Sequence, residues 1–84
     1  SVKTVYLRGT YDLLQRRLAA AGTSFSKELA VVRVGAAREL LVDRRRSITE
    51  VAYLCGFADG AHFARAFRSA TGSAPREWRS ALPF

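Results

Sequence analysis

The chain has 84 residues, just under half of them apolar, which suits one small domain with a modest core. Fourteen basic residues against seven acidic ones leave a net charge of +7, and twelve of the fourteen are Arg; such a field attracts polyanions, and the planar Arg fork favours phosphates and base edges. One Cys excludes an intrachain disulfide and a Cys-based zinc cluster and suits a reducing cytosol, while no apolar run approaches the ~20 residues of a membrane span and no signal-peptide pattern opens the chain.

In chain order, Ser1 to Gly9 comes first. Val2, Thr4 and Tyr6 alternate with Lys3, Val5 and Leu7 in a β-prone run. This segment has few burial partners to offset the ~1–2 kcal/mol per residue of backbone ordering. It is expected to be frayed, extended or packed on a neighbour rather than helical. From Ser24 to about Asp43, Phe25, Leu29, Val32, Ala36 and Leu40 recur at helical spacing. Ser24 is the expected N-cap, and Arg44 to Arg46 follow where a helix C-terminus favours positive charge. Gly35 costs up to about 1 kcal/mol inside this helix and is expected to mark a close approach by another one. This long helix is the expected spine.

Ser47-Ile48-Thr49-Glu50 reads as a capping box, in which Ser47 caps the amides while Glu50 reaches back. Ile48, Val51, Ala52 and Cys55 make a short apolar stripe that Gly56 ends. Phe57 and Ala58 complete a tight turn, and Asp59 can cap a helix to about Thr71. Short helix, turn and second helix is the layout of a helix-turn-helix. At about 100° per residue, Phe63 and Phe67 share a core stripe with Ala66 and Ala70. Ala61, Arg65 and Arg68 fall nearly opposite, flanked by Ala64. Small residues beside arginines let a helix approach a duplex, so Arg65 could reach a guanine edge and Arg68 a phosphate. Gly72 then stops this helix, Pro75 opens a C-terminal one over about 74–82, and Trp78 is expected to fold back on the core.

The run Ser47-Ile48-Thr49-Glu50-Val51-Ala52-Tyr53-Leu54-Cys55-Gly56-Phe57 resembles the second helix-turn-helix of the AraC/XylS family. The Phe63, Arg65, Phe67 spacing and the stretch from Thr71-Gly72 to Pro75-Arg76-Glu77-Trp78-Arg79 continue the likeness. Upstream, Leu14-Gln15-Arg16-Arg17-Leu18 and Gly22-Thr23-Ser24-Phe25 are similar to the first recognition helix and its exit, and Arg33, Ala37, Leu40 and Leu41 fit the linker helix. The resemblance covers about residues 10 to 79. It implies an all-α domain of seven helices, with two helix-turn-helix subdomains joined by a long linker helix. Here the first unit would span about 1–22, incomplete and without the helix that precedes it in the family, the linker 24–43 and the second unit 47–71.

The resemblance further implies that each unit places a recognition helix in the major groove, in adjacent grooves. The carried-over base readers are Asp12, Gln15 and Arg16 in the first unit, and Gly60, Ala61, His62 and Arg65 in the second. Arg17, Arg46 and Arg68 are the expected phosphate contacts. If Leu14 and Leu18 face the core, Asp12, Gln15 and Arg16 do point away. Gln15 then suits adenine, Arg16 guanine and Asp12 a cytosine amine. Ala74 stands where the family has a capping Ser, at a cost of about 1 kcal/mol.

Double-stranded DNA is the expected partner, in the bacterial cytoplasm at the nucleoid, for a transcription regulator or activator. RNA polymerase is a further partner the family suggests, with effector and dimerisation domains outside this chain. No cofactor, metal or membrane is called for. The rival readings are weaker. An enzyme would have only Cys55 and His62 as nucleophile and base, and Cys55 reads as a small core residue. A basic helical protein-interaction module without specific DNA readout would need an uncovered apolar face. An RNA binder would need exposed aromatics.

Overall fold

A computed structural model describes the backbone at 2–21 and 24–84, and the side chains at 9, 11–19 and 24–84. The described residues form five helices and no strand: α1 (Val2–Ala21), α2 (Phe25–Leu41), α3 (Ile48–Leu54), α4 (Gly60–Thr71) and α5 (Pro75–Ser80). Helix α1 packs against α2 and α3, while α4 packs against α2, α3 and α5.

One expectation about the N-terminal part is corrected. Residues 2–9 are not extended but form the opening turns of α1, which runs unbroken for 20 residues. With no sheet edge among the described residues to pair with, a β-prone run closes its backbone hydrogen bonds only as helix. Within 1–22 the structure describes this one helix, so five helices are described where the family layout implies seven. Leu14 is 3% exposed, as expected of the residue that faces the core. Gly22 and Thr23, the expected exit from this unit, lie outside the described residues.

Helix α2 is the spine. Ser24 Oγ accepts from the Lys27 amide at 3.3 Å, the expected cap. Its buried face is broader than the predicted stripe and consists of Glu28, Val32, Val34, Ala37, Leu40 and Leu41. Phe25, expected in that stripe, is 56% exposed. Gly35 marks no close approach, because a Cβ there would meet nothing within 4 Å.

The core lies between the second half of α2 and the α3–α4 pair, with Leu41, Val51, Cys55, Phe63 and Phe67 fully buried. Ala70, predicted to join the stripe of α4, is exposed. A ladder of rings runs through this core. Phe57 to Phe63 is 5.0 Å between centroids, Phe63 to Phe67 5.7 Å, and Phe67 to Trp78 5.7 Å, all tilted or edge-on as ring quadrupoles favour. Trp78 therefore packs back on the core as expected. Truncating Phe63 or Phe67 to Ala would cost about 3–5 kcal/mol. The ladder ties α5 and the α3–α4 turn to the single helix between them, α4.

Candidate nucleic-acid interface

The second helix-turn-helix is built by local signals that the structure realises one by one. Ser47 Oγ accepts from the Glu50 amide at 2.9 Å. The other half of the predicted capping box differs, because the Glu50 carboxylate lies 3.7 Å from the Arg46 guanidinium rather than on the Ser47 amide. At the far end, Gly56 takes φ +85°. Its amide donates to the Tyr53 carbonyl at 3.1 Å, and the Phe57 amide donates to the Ala52 carbonyl at 3.0 Å. This pair of bonds is a Schellman close, in which a left-handed Gly satisfies the last carbonyls and turns the chain sharply. Asp59 Oδ1 then accepts from the His62 amide at 2.7 Å and starts α4. Gly72, at φ +87°, ends it.

This turn geometry sets the orientation of α4. Phe63 and Phe67 anchor one face, so Gly60, Ala61, Arg65 and Arg68 stand exposed on the other, with Ala64 half-buried at the side. Arg65 forms no hydrogen bond or ion pair with any described residue. Arg68 does, donating from Nη2 to Glu77 Oε1 at 3.0 Å across to α5. Both members of that pair are about two-thirds exposed, so the contact is weak and readily exchanged for a phosphate. His62 is exposed, its ring edge-on to Phe57 at 5.4 Å.

On α1, Asp12, Gln15 and Arg16 are all exposed, pointing away from buried Leu14. Arg17, an expected phosphate contact, is bound to Glu28 of α2, with Nε 2.5 Å from Oε2. Arg46 is also engaged, 3.9 Å from Asp43 and 3.7 Å from Glu50. The structure thus gathers Gly60, Ala61, His62 and Arg65 on one helix and Asp12, Gln15 and Arg16 on another, while Arg17 and Arg46 are partly neutralised. Asp43 is flanked by Arg45 as well, whose hydrogen bonds hold its carboxyl below the ordinary carboxylate range.

One cation has a placement that helical periodicity does not reveal. Arg33 sits between two buried neighbours, Val32 and Val34, and is itself half-buried. Its guanidinium packs against the α3–α4 turn, 5.8 Å from the centre of the Phe57 ring, and its Nε would lie 3.3 Å from a Cβ at Gly56. Two further arginines have structural work. Arg79 Nε donates to the Leu41 carbonyl at 2.9 Å, tying α5 to the end of α2, and Arg38 lies 6.0 Å from the Trp78 ring centre.

Cys55 is a core residue, as its sequence position suggested. Burial pushes its thiol from an ordinary 9.0 up to about 12, with the nearby Arg33 charge acting in the opposite sense. A thiol that holds its proton so firmly is no nucleophile at neutral pH. Among the described residues no helix is long and apolar enough to cross a membrane, and no His, Cys, Asp and Glu residues gather as a metal site.

Comparison with known proteins agrees with this geometry. A family model described as a helix-turn-helix domain matches residues 10–81. The ornithine utilization regulator of Pseudomonas aeruginosa is 38% identical over 68 residues, which is 81% of this chain and 20% of that protein. The transcriptional activator RhaS of Yersinia pestis is 38% identical over 61 residues, 73% of this chain and 22% of that protein. Among solved structures, the transcriptional regulator CdpR of P. aeruginosa aligns with a TM-score of 0.67 at 44% identity, over 79% of this chain and 21% of that one. A DNA-binding dual regulator of Escherichia coli K-12 aligns with a TM-score of 0.68 at 33% identity, over 82% of this chain and 62% of that one. The chain spans about a fifth of the length of the curated relatives it matches. A Gly-closed, Asp-capped helix pair on a linker spine, matched by relatives of this kind, makes the chain a member of the AraC/XylS family of helix-turn-helix transcription regulators.

Proposed function

We propose that this chain binds double-stranded DNA with sequence preference, α4 lying in one major groove and the outer half of α1 facing the adjacent groove. The observation that carries this reading is the exposed face of α4. Arg65, without a described ion-pair partner, stands beside Ala61 and opposite the two buried Phe anchors. A helix with small residues on its outer face fits deep in a groove about 12 Å wide, where an Arg fork matches the guanine edge. Gly60 and Ala61 act through close approach and His62 at the edge, and Asp12, Gln15 and Arg16 read the second groove. The domain measures 35 Å along its longest axis, enough to reach along one ~34 Å turn of duplex.

Affinity comes mainly from phosphates. Arg68 is the most available of the three expected contacts, while Arg17 and Arg46 must first give up carboxylate partners. The regulator that carries this domain would act in the bacterial cytoplasm at the nucleoid. Its effector-binding and dimerisation parts and any contact with RNA polymerase are proposed for the longer protein, as the fifth of each relative that is matched suggests.

Fluorescence anisotropy with a labelled duplex, across a salt series, tests the reading. Neutralising about 6 phosphates gives a log–log slope near −5. Selection from random duplexes then yields the preferred site. Absence of binding at low salt would reject DNA in favour of a protein-interaction module.

A further inference from the structure

Between the start of α2 and the α3–α4 turn lies an open cavity of about 220 Å³. Its walls include Phe25, Leu29 and Phe57, and its polar groups are Ser26, Arg33 and His62. Arg33 has five N–H donors, yet no described residue accepts a hydrogen bond from it or pairs with it. Asp59, the N-cap of α4, is committed to the His62 amide. A half-buried guanidinium with unmet donors, supported on a Phe57 face and open to a cavity, is built to take an anion.

The place of this cavity identifies the anion. His62 falls about 60° around α4 from Arg65, on one flank of the outward face. A helix 10–12 Å across fills a major groove about 12 Å wide, so its flanks meet the phosphates that border the groove. We infer that Arg33, together with His62, forms a phosphate clamp for the DNA backbone on that flank. Arg33 lies on the linker helix and outside the carried-over set of contacts. The clamp would also set the depth and tilt of α4, because the same guanidinium rests on Gly56 and Phe57 of the turn. This inference rests on the DNA-binding reading above.

The test uses the 84-residue chain and its Arg33→Gln and Arg33→Lys variants, with folding checked by thermal melting. Loss of one phosphate contact should weaken binding about tenfold on every duplex alike. It should also make the log–log salt slope shallower by about 0.9. Arg33→Lys should keep the slope, since the charge remains. In the unaltered chain, the Arg33 Nε–H NMR signal should shift on adding duplex. It should stay put when methylphosphonates neutralise the flanking phosphates, a readout that needs no variant to fold. An unchanged slope in Arg33→Gln, or an Arg33 signal indifferent to those phosphates, would overturn the clamp while leaving DNA binding intact. No binding by the unaltered chain would overturn both.

Discussion

Arg17 Nε lies 2.5 Å from Glu28 Oε2, which joins α1 to the linker helix through a Glu whose side chain is only 6% exposed. A buried charge is held in an apolar setting only while its partners remain, so this contact fixes α1 on the spine. It also sets Glu28 in competition with DNA for Arg17. Arg17→Ala should therefore lower stability, by about 1 kcal/mol because the Arg side is itself partly solvated. Urea unfolding would measure it, and an unchanged midpoint would mean that this ion pair adds nothing net to the hold on α1.

Reading and anchoring should separate on α4. Arg65→Ala is expected to relax preference at one base pair and cost about 1–3 kcal/mol on the best site. Arg68→Ala should weaken all duplexes about equally. Glu77→Ala should do the reverse of Arg68→Ala, since it removes the carboxylate 3.0 Å from Arg68 and leaves that charge for phosphate. Selection profiles and salt series on the three variants decide this; an Arg65 variant with unaltered base preference is no reader.

The turn between α3 and α4 depends on Gly56. A Cβ there would sit at φ +85° and 3.3 Å from Arg33 Nε. Gly56→Ala should cost about 1–2 kcal/mol from the left-handed backbone alone, equivalent to roughly 4–16 °C in melting temperature for a domain of this size. DNA affinity should fall further than stability explains, because the turn aims α4. Calorimetry beside anisotropy on the same sample would reveal the excess.

Helix α5 offers a stabilising change. Ala74 has N-cap geometry, φ −66° and ψ 154°, but supplies no side-chain hydrogen bond, while Pro75 already occupies the first turn. Ala74→Ser should add about 0.5–1 kcal/mol by capping an open amide. A thermal melt that fails to rise would show that this end is already satisfied by solvent.

The thiol of Cys55 gives a pH signature. Its folded value, about 12, lies above the ordinary 9.0 expected for the unfolded chain. The neutral thiol is thus favoured by folding, and its contribution is complete below about pH 9. Between there and about pH 12 the unfolded chain loses its proton first, so stability declines as pH rises. Cys55→Ala should flatten that part of the stability–pH curve, and in the native chain alkylation should track unfolding rather than thiol exposure.

Much of the linker helix and second unit was legible residue by residue because the signals are local. Ser24, Ser47 and Asp59 cap, Gly56 and Gly72 close, and Phe63 and Phe67 repeat at helical spacing, each acting within about four residues of chain. The outward face of α4 follows from the same periodicity. Tertiary structure decided what depends on partners far along the chain. Residues 2–9 are helix despite their β-prone alternation, because no strand is present among the described residues to pair with them. Phe25 is exposed, Glu28 is buried against Arg17, and Gly35 faces open space, none of which spacing along α2 can reveal. Arg33 is the sharpest case: sequence shows one more Arg on an apolar helix, and only the meeting of α2 with the α3–α4 turn sets it against Gly56 and Phe57. Capping and periodicity are properties of a helix with itself, whereas burial and ion pairing belong to surfaces that exist only once the helices have met.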